Sequence, residues 1–146
     1  MTALKLVCLD CGQTNRVPQK KLAQGAKCGT CGAALLPTKP VDVDPAILAK
    51  AAKTDELPLL ADYWAPWCGP CRMMAPEFSK AAQTLHGQAR LVKINTQDHE
   101  QVGDKYGIRG IPTMILFAGG RERDRQSGAM PAQQITSFVA QATGKI

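Results

Sequence analysis

Trp67-Cys68-Gly69-Pro70-Cys71 lies between an apolar run at residues 57–65 and a segment with helical spacing that extends to about Leu85. The apolar run is typical of a buried strand, and the Gly-Pro pair is suited to the first turn of a helix. Two cysteines three residues apart at the start of a helix place their sulfur atoms on one face, within bonding distance. The stretch therefore predicts a redox-active dithiol at a strand-to-helix turn.

The two sulfur atoms of this dithiol are predicted to have different roles. Unpaired backbone amides and the helix dipole favour a thiolate at the amino end of a helix, which lowers the pKa of Cys68 and makes it the nucleophile. Cys71, one turn further on, would resolve the mixed disulfide. An inert disulfide or half of a zinc site are the alternatives, and Trp67 and the strand–helix context favour the redox dithiol.

Residues 40–146 alternate strand and helix patterns around this dithiol. A helix is expected from Pro45, with Asp44 as its N-cap and proline in its first turn. The later elements are expected to be strands at 89–95, 113–117 and 122–126, helices at 97–106 and 131–142, and a turn at 119–120. This order predicts an α/β fold, with a mixed central sheet flanked by helices on both faces.

Residues 1–39 form a second region, with Cys8 and Cys11, then Cys28 and Cys31, in two Cys-x-x-Cys-Gly motifs. Four thiolates at this spacing suit a tetrahedral zinc ion, and a segment this short needs a metal or a cross-link to fold. Two disulfides and a four-cysteine iron site are the alternatives. The prolines after Leu36 predict an extended linker at 36–40.

The chain has 146 residues and a formal net charge of +6, and residues 1–39 carry +5 of it. A solvated basic surface is the simpler interpretation, since no aromatic residue precedes Tyr63 to stack on a nucleic-acid base. No apolar run approaches the roughly 18 residues of a membrane span, and no secretory signal is expected at the N-terminus. The absence of a phosphate-binding glycine loop indicates that no nucleotide binds directly.

A methionine pair, a histidine and an arginine series are expected to be structural. Met73 and Met74 are predicted to pack the helix that follows the dithiol, and His86 to lie in solvent at its end. Three arginines alternate along the return strand and are predicted to share one exposed face: Arg121, Arg123 and Arg125. Their charge would protect a sheet edge, and a binding surface for an acidic partner is the alternative.

Over residues 42–144 the sequence resembles the thioredoxins. The matching runs are 62–71, Pro76, 93–95, 106–113, Phe117 and Gly128. With its four-cysteine extension, the chain is similar to the bacterial thioredoxin 2 type, which carries a zinc ribbon. The resemblance implies a thioredoxin fold at 40–146, and a zinc ribbon with its linker at 1–39.

The resemblance also implies an activity. A general protein-disulfide reductase is expected, a cytoplasmic and monomeric electron carrier that thioredoxin reductase recharges with NADPH. One structural zinc ion would be its metal cofactor. An oxidase or isomerase, and a binding module in which the ribbon tethers the dithiol to nucleic acid or a scaffold, are the other hypotheses. Oxidation of the ribbon thiols would expel zinc, which suggests that the metal centre is redox-sensitive.

Roles for further residues follow from the same resemblance. Asp62 matches a buried carboxylate behind the dithiol, and burial should raise its pKa. Lys93 matches the partner of that acid, and Pro112 matches a cis-proline that leaves the backbone of Ile111 free to pair with an extended substrate. The expected substrate-docking surface consists of Trp67, Gly69, Pro70, Gly110, Ile111, Gly128 and Ala129.

Overall fold

Two sheets organise the protein in this computed structural model, which describes residues 3–144. The smaller sheet belongs to the N-terminal segment 3–39, called the ribbon here. It pairs β1 (Ala3–Val7) antiparallel with β2 (Thr14–Pro18), and a short 3-10 helix follows at Gln19–Lys21. The cysteine motifs predict none of these elements, because strands of five residues are too short to give a clear hydrophobic periodicity.

The larger sheet has five strands in the order β3-β5-β4-β6-β7. β3 and β4 run parallel to β5, whereas β6 is antiparallel to β4 and β7 is antiparallel to β6. The mixed sheet expected from the sequence is thus confirmed. Its strands are β3 (Val41–Asp42), β4 (Leu59–Trp64), β5 (Arg90–Asn95), β6 (Thr113–Ala118) and β7 (Arg121–Ser127).

In the described part of the chain, four helices cover this sheet: α1 (Pro45–Thr54), α2 (Gly69–Thr84), α3 (Gln101–Lys105) and α4 (Ala132–Thr143). α1 begins as predicted, since an Asp44 carboxylate oxygen accepts the Ile47 N–H at 2.8 Å. α3 is shorter than the predicted helix at 97–106. Asn95 Oδ1 accepts the N–H groups of Gln97 and Asp98, which holds the chain in a turn before the helix starts.

The central strand β4 divides the core into two apolar layers. Leu59, Ala61 and Tyr63 face a cluster that includes residues of α1 and α3. Leu60 faces the other cluster, with residues of α2 and α4. Side chains alternate along a strand, so Asp62 lies on the Leu60 side, toward the helix that carries the cysteines.

The edge strand β7 differs from expectation. A bulge in its pairing with β6 sets Glu122 opposite Phe117 and Arg125 opposite Ile115. This bulge shifts the alternation, so Arg121 and Arg125 do not share a face, and the prediction of one arginine face at 121, 123 and 125 is wrong. Arg125 instead pairs with Glu122, with its Nε 2.6 Å from Oε2.

None of the helices within residues 3–144 combines the length and the apolar character needed to cross a membrane.

Candidate active site and metal centre

Cys68 is the N-cap residue of α2, and Cys71 lies in the first turn of the helix. Cys68 and Cys71 form a disulfide in this structure, with their Cα atoms 5.2 Å apart. Cys68 Sγ also accepts the Cys71 N–H at 3.1 Å. The strand-to-helix turn thus places the two sulfur atoms together, with the first sulfur at the positive end of the helix dipole.

The loop before β6 and the loop after β7 lie at the same end of the sheet as the disulfide and complete its surroundings. The carbonyl oxygen of Ile111 lies 3.7 Å from Cys68 Sγ, and the Ile111–Pro112 peptide bond is cis, as the resemblance implies. Gly128 N–H donates to the Pro112 carbonyl at 2.8 Å, which joins the two loops beside the disulfide. The docking candidates Gly110 and Ala129 are exposed on these loops, and Gly69 and Pro70 lie in the first turn of α2.

Two large apolar side chains are exposed near the disulfide. Trp67, which is predicted to belong to the docking surface, is 68% exposed. Met73 is 73% exposed, so the prediction that it packs the helix is wrong, whereas Met74 is buried as expected. The difference follows from helix geometry, because Met74 faces the sheet and Met73, one residue earlier, faces solvent.

Asp62 is buried in β4, on the face that packs against α2, with 1% of the residue exposed. Loss of hydration raises its pKa to about 7; Lys93 opposes this shift and Asp42 adds to it. Within residues 3–144, Asp62 Oδ1 has no hydrogen-bond partner. The carboxyl group therefore titrates near neutral pH, where a group that exchanges protons is most effective.

Lys93 lies opposite Asp62 in the parallel pairing of β4 with β5. Its ammonium group lies over the ring of Trp64, 4.3 Å from the centroid, and the Trp64 indole N–H donates to Asp42 at 3.1 Å. In the described part of the chain Lys93 forms no ion pair with Asp62 within 4 Å. Lys93 therefore lowers the pKa of Asp62 through its charge and not through a direct ion pair.

Arg72 was not expected to shape the site, although it directly follows Cys71. Its Nη1 donates to the Pro66 carbonyl at 3.1 Å, which ties α2 to the loop that presents Trp67. A basic residue next to the second cysteine was the only sequence signal for this contact.

The four ribbon cysteines converge as their spacing predicts. Their Sγ atoms all lie within 4.8 Å of one another, and none of the four forms a disulfide with another described residue. Two Sγ–Sγ distances are 3.6 Å, between Cys8 and Cys31, and 3.7 Å, between Cys11 and Cys28. A tetrahedron with metal–sulfur bonds of about 2.3 Å has edges of about 3.8 Å, so the arrangement fits a four-thiolate metal site.

Hydrogen bonds to the sulfur atoms favour the thiolate form that binds metal. The Asp10 and Cys11 N–H groups donate to Cys8 Sγ, both at 3.4 Å. The pKa of Cys28 is lowered to about 6, first by the backbone amide of Cys31 and then by the side-chain amide of Asn15. At Cys31 the backbone amide of Ala33 also lowers the pKa, but burial and the three neighbouring sulfur atoms outweigh it and raise the pKa. Asn15 also accepts the Gly29 N–H at 3.0 Å, a role that no sequence pattern indicated.

Comparison with known proteins agrees with both halves of this description. The thioredoxin family model matches residues 42–141, and the model "Thioredoxin 2, N-terminal" matches residues 7–33. Thioredoxin C-3 of Corynebacterium nephridii is 37% identical over 136 residues, which covers 93% of each chain. Thioredoxin 1 of Nostoc sp. is 50% identical over 84 residues, 58% of this chain and 78% of its own.

Solved structures show the same fold. Chloroplastic thioredoxin z superimposes with a TM-score of 0.67 and 28% identity, covering 73% of this chain and 96% of its own. A mutant thioredoxin from Halobacterium salinarum gives the same TM-score of 0.67 and 28% identity, with 76% of this chain and 96% of its own covered.

The fold and its disulfide-forming cysteine pair define a thiol–disulfide oxidoreductase. The chain belongs to the thioredoxin family, and its N-terminal segment matches the thioredoxin 2 type. The predicted family and fold are confirmed.

Proposed function

We propose that this protein reduces disulfide bonds in other proteins through Cys68 and Cys71. The observation that carries the proposal is the position of Cys68 Sγ at the amino end of α2, where the Cys71 N–H donates to it at 3.1 Å. A hydrogen-bond donor and the positive end of a helix both stabilise a thiolate, so Cys68 is the attacking group.

The reaction has two exchange steps. The Cys68 thiolate attacks one sulfur of the substrate disulfide, that bond breaks, and the other substrate sulfur leaves as a thiolate. The Cys71 thiolate then attacks Cys68 Sγ and releases the second substrate sulfur. Two electrons have passed to the substrate, and the protein is left with the Cys68–Cys71 disulfide. Asp62, with its pKa of about 7, takes the proton of Cys71 through a water, and the charge of Lys93 tunes that pKa.

The substrate docks on the surface around Cys68. The exposed Trp67 and the adjoining residues Gly69 and Pro70 form one side, and the loops around 110–112 and 128–129 form the other. An extended substrate segment pairs with the backbone of Ile111, next to the cis-proline Pro112. A small, apolar surface suits varied disulfide-containing proteins bound with modest affinity.

Family membership supports the remaining parts of the cycle. Thioredoxin reductase would return the disulfide to the dithiol with electrons from NADPH, which we expect the reductase rather than this chain to bind. We place the reaction in the cytoplasm, where disulfides are kept reduced, and propose that the monomer is the active form.

Catalytic amounts of this protein are expected to accelerate NADPH oxidation by thioredoxin reductase in the presence of insulin. The dithiol potential should lie near the value known for thioredoxin, about −270 mV. Equilibration with a glutathione buffer of known potential, followed by thiol trapping, gives that value. A potential at or above about −180 mV, the value of protein disulfide isomerase, would instead favour the oxidase or isomerase hypothesis.

We further propose that Cys8, Cys11, Cys28 and Cys31 bind one zinc ion. The tetrahedral fit of their sulfur atoms and the N–H donors around them support this. Zinc bound by four thiolates supplies a structural cross-link, with no open position for water. Cys11 and Cys31 are exposed, so an oxidant can reach this centre.

Reduced protein purified without oxygen is expected to contain one zinc per chain and two reactive thiols. Peroxide should oxidise the ribbon thiolates to disulfides, release zinc and change the rate of insulin reduction in parallel. Metal analysis, thiol titration and the insulin assay on the same samples test this. No metal with six reactive thiols would contradict the site; zinc release at an unchanged rate would contradict the redox-sensitive role alone.

A further inference from the structure

A buried ion pair lies where the ribbon meets the larger sheet. Arg90 is the first residue of β5, and Asp55 directly follows α1. Arg90 Nη1 lies 2.5 Å from Asp55 Oδ2, and each side chain is 1% exposed. These two residues are called the ribbon clamp below.

Within residues 3–144, every other side-chain hydrogen bond of the ribbon clamp goes to the ribbon backbone. Arg90 Nη2 donates to the Val7 carbonyl at 2.8 Å, and Nε donates to the Leu35 carbonyl at 3.1 Å. Asp55 Oδ1 accepts the Val7 N–H at 2.9 Å. Val7 directly precedes the candidate ligand Cys8, and Leu35 follows the last of the four cysteines, so the clamp holds both ends of the metal-binding segment.

The contacts around the clamp are buried as well. Val7 and Leu9 of the ribbon belong to the same apolar cluster as Leu48 and Ala51 of α1. His86, which the sequence placed in solvent, is half-buried, and its ring Nε2 lies 2.8 Å from the Leu36 carbonyl oxygen. The ribbon is therefore held against the larger sheet by apolar and polar contacts together.

The polar contacts matter because a buried ion pair is not stabilising by default. Removing two charges from water carries a large free-energy cost, and this is offset only when the remaining donors and acceptors are satisfied. Here the ribbon backbone satisfies them. If the ribbon unfolds, the clamp loses three hydrogen bonds at once, and part of the larger domain must reorganise or hydrate.

We propose that Asp55 and Arg90 are positioning residues of the four-cysteine metal site and couple metal binding to the stability of the thioredoxin domain. This rests on the zinc site proposed above. The clamp fixes the backbone next to Cys8 before metal arrives, so less conformational freedom is lost on binding. The coupling is reciprocal. If the clamped ribbon binds metal more tightly, bound metal stabilises the clamped ribbon and the domain beneath it by the same free energy.

The test uses full-length reduced protein and the double variant Asp55→Leu/Arg90→Met, which leaves neither charge of the pair buried alone. Zinc affinity is measured by competition with a chromophoric chelator, and the thermal midpoint is measured with and without zinc. The variant is expected to bind zinc about 5- to 150-fold more weakly, the usual range for coupled sites, with a smaller zinc-dependent rise in the midpoint. Arg121→Met is the control, because Arg121 is exposed and forms no ion pair within residues 3–144.

The proposal would be overturned by a double variant that has a native circular dichroism spectrum and binds zinc within twofold of the wild-type affinity. Its zinc-dependent rise in thermal midpoint would then also be within twofold of the wild-type rise. If the double variant does not fold, Arg90→Lys replaces it, since lysine keeps the buried charge pair but lacks the planar fork of donors that reaches Val7 and Leu35. Weaker zinc binding is again expected, and unchanged binding again overturns the role of the clamp. Absence of zinc from the wild-type protein would instead overturn the metal site, and the role of the clamp with it.

Discussion

Replacement of Cys68 by serine is expected to abolish disulfide reduction, to the rate of the protein-free control. A serine hydroxyl is not a thiolate at neutral pH and cannot attack a disulfide, so no part of the exchange starts. The loss should appear in the insulin assay with dithiothreitol, which does not depend on thioredoxin reductase. The variant should keep its fold, because the Cys68 side chain contributes one N-cap contact and the disulfide.

Cys71→Ser is the matched control, since it makes the same substitution three residues later. Attack by Cys68 then proceeds, but the mixed disulfide is not resolved, so a covalent complex with the substrate should accumulate. Mass spectrometry under non-reducing conditions distinguishes the two variants. Accumulation of that complex with Cys68→Ser, and not with Cys71→Ser, would reverse the assigned roles.

The dithiol and its immediate context were predictable because their signals are local. The N-cap at Asp44, the buried run of β4 and the Cys-x-x-Cys spacing each lie within one element and its first turn. Such patterns indicate which backbone N–H groups at a helix end find a hydrogen-bond partner and which face of an element is apolar. The same holds for the four ribbon cysteines, whose spacing predicts their convergence without any knowledge of the surrounding strands.

The ribbon clamp was not predictable for the opposite reason. Arg90 begins a strand, where an arginine is usually exposed, and its partners are 35, 55 and 83 residues away in the chain. No periodicity links such distant residues, and the burial of the ion pair depends on the docked ribbon. The reversed faces on β7 have a similar origin, because one bulge changes every later side-chain direction.

Asp62→Asn is expected to stabilise the protein, increasingly as the pH rises. Burial raises the pKa of Asp62 from an ordinary value of 3.8 to about 7. Between these values the folded protein keeps a proton that the unfolded chain has released. Stability therefore falls as the pH rises through this window and levels off above about pH 7, where the buried carboxylate is charged.

The size of the effect follows from the shift. At about 1.36 kcal/mol per pKa unit, the carboxylate lowers the free energy of unfolding by roughly 4 kcal/mol above pH 7. Asparagine has the same shape and does not ionise, so the gain in the free energy of unfolding should be small near pH 4 and approach that value near pH 8.

Urea unfolding of the oxidised protein at several pH values tests this, with Asp98→Asn as the control, since Asp98 is exposed. A pH-independent difference between Asp62→Asn and wild type would contradict the raised pKa. The expected cost is slower resolution of the mixed disulfide, because the variant has no carboxylate to accept the proton of Cys71.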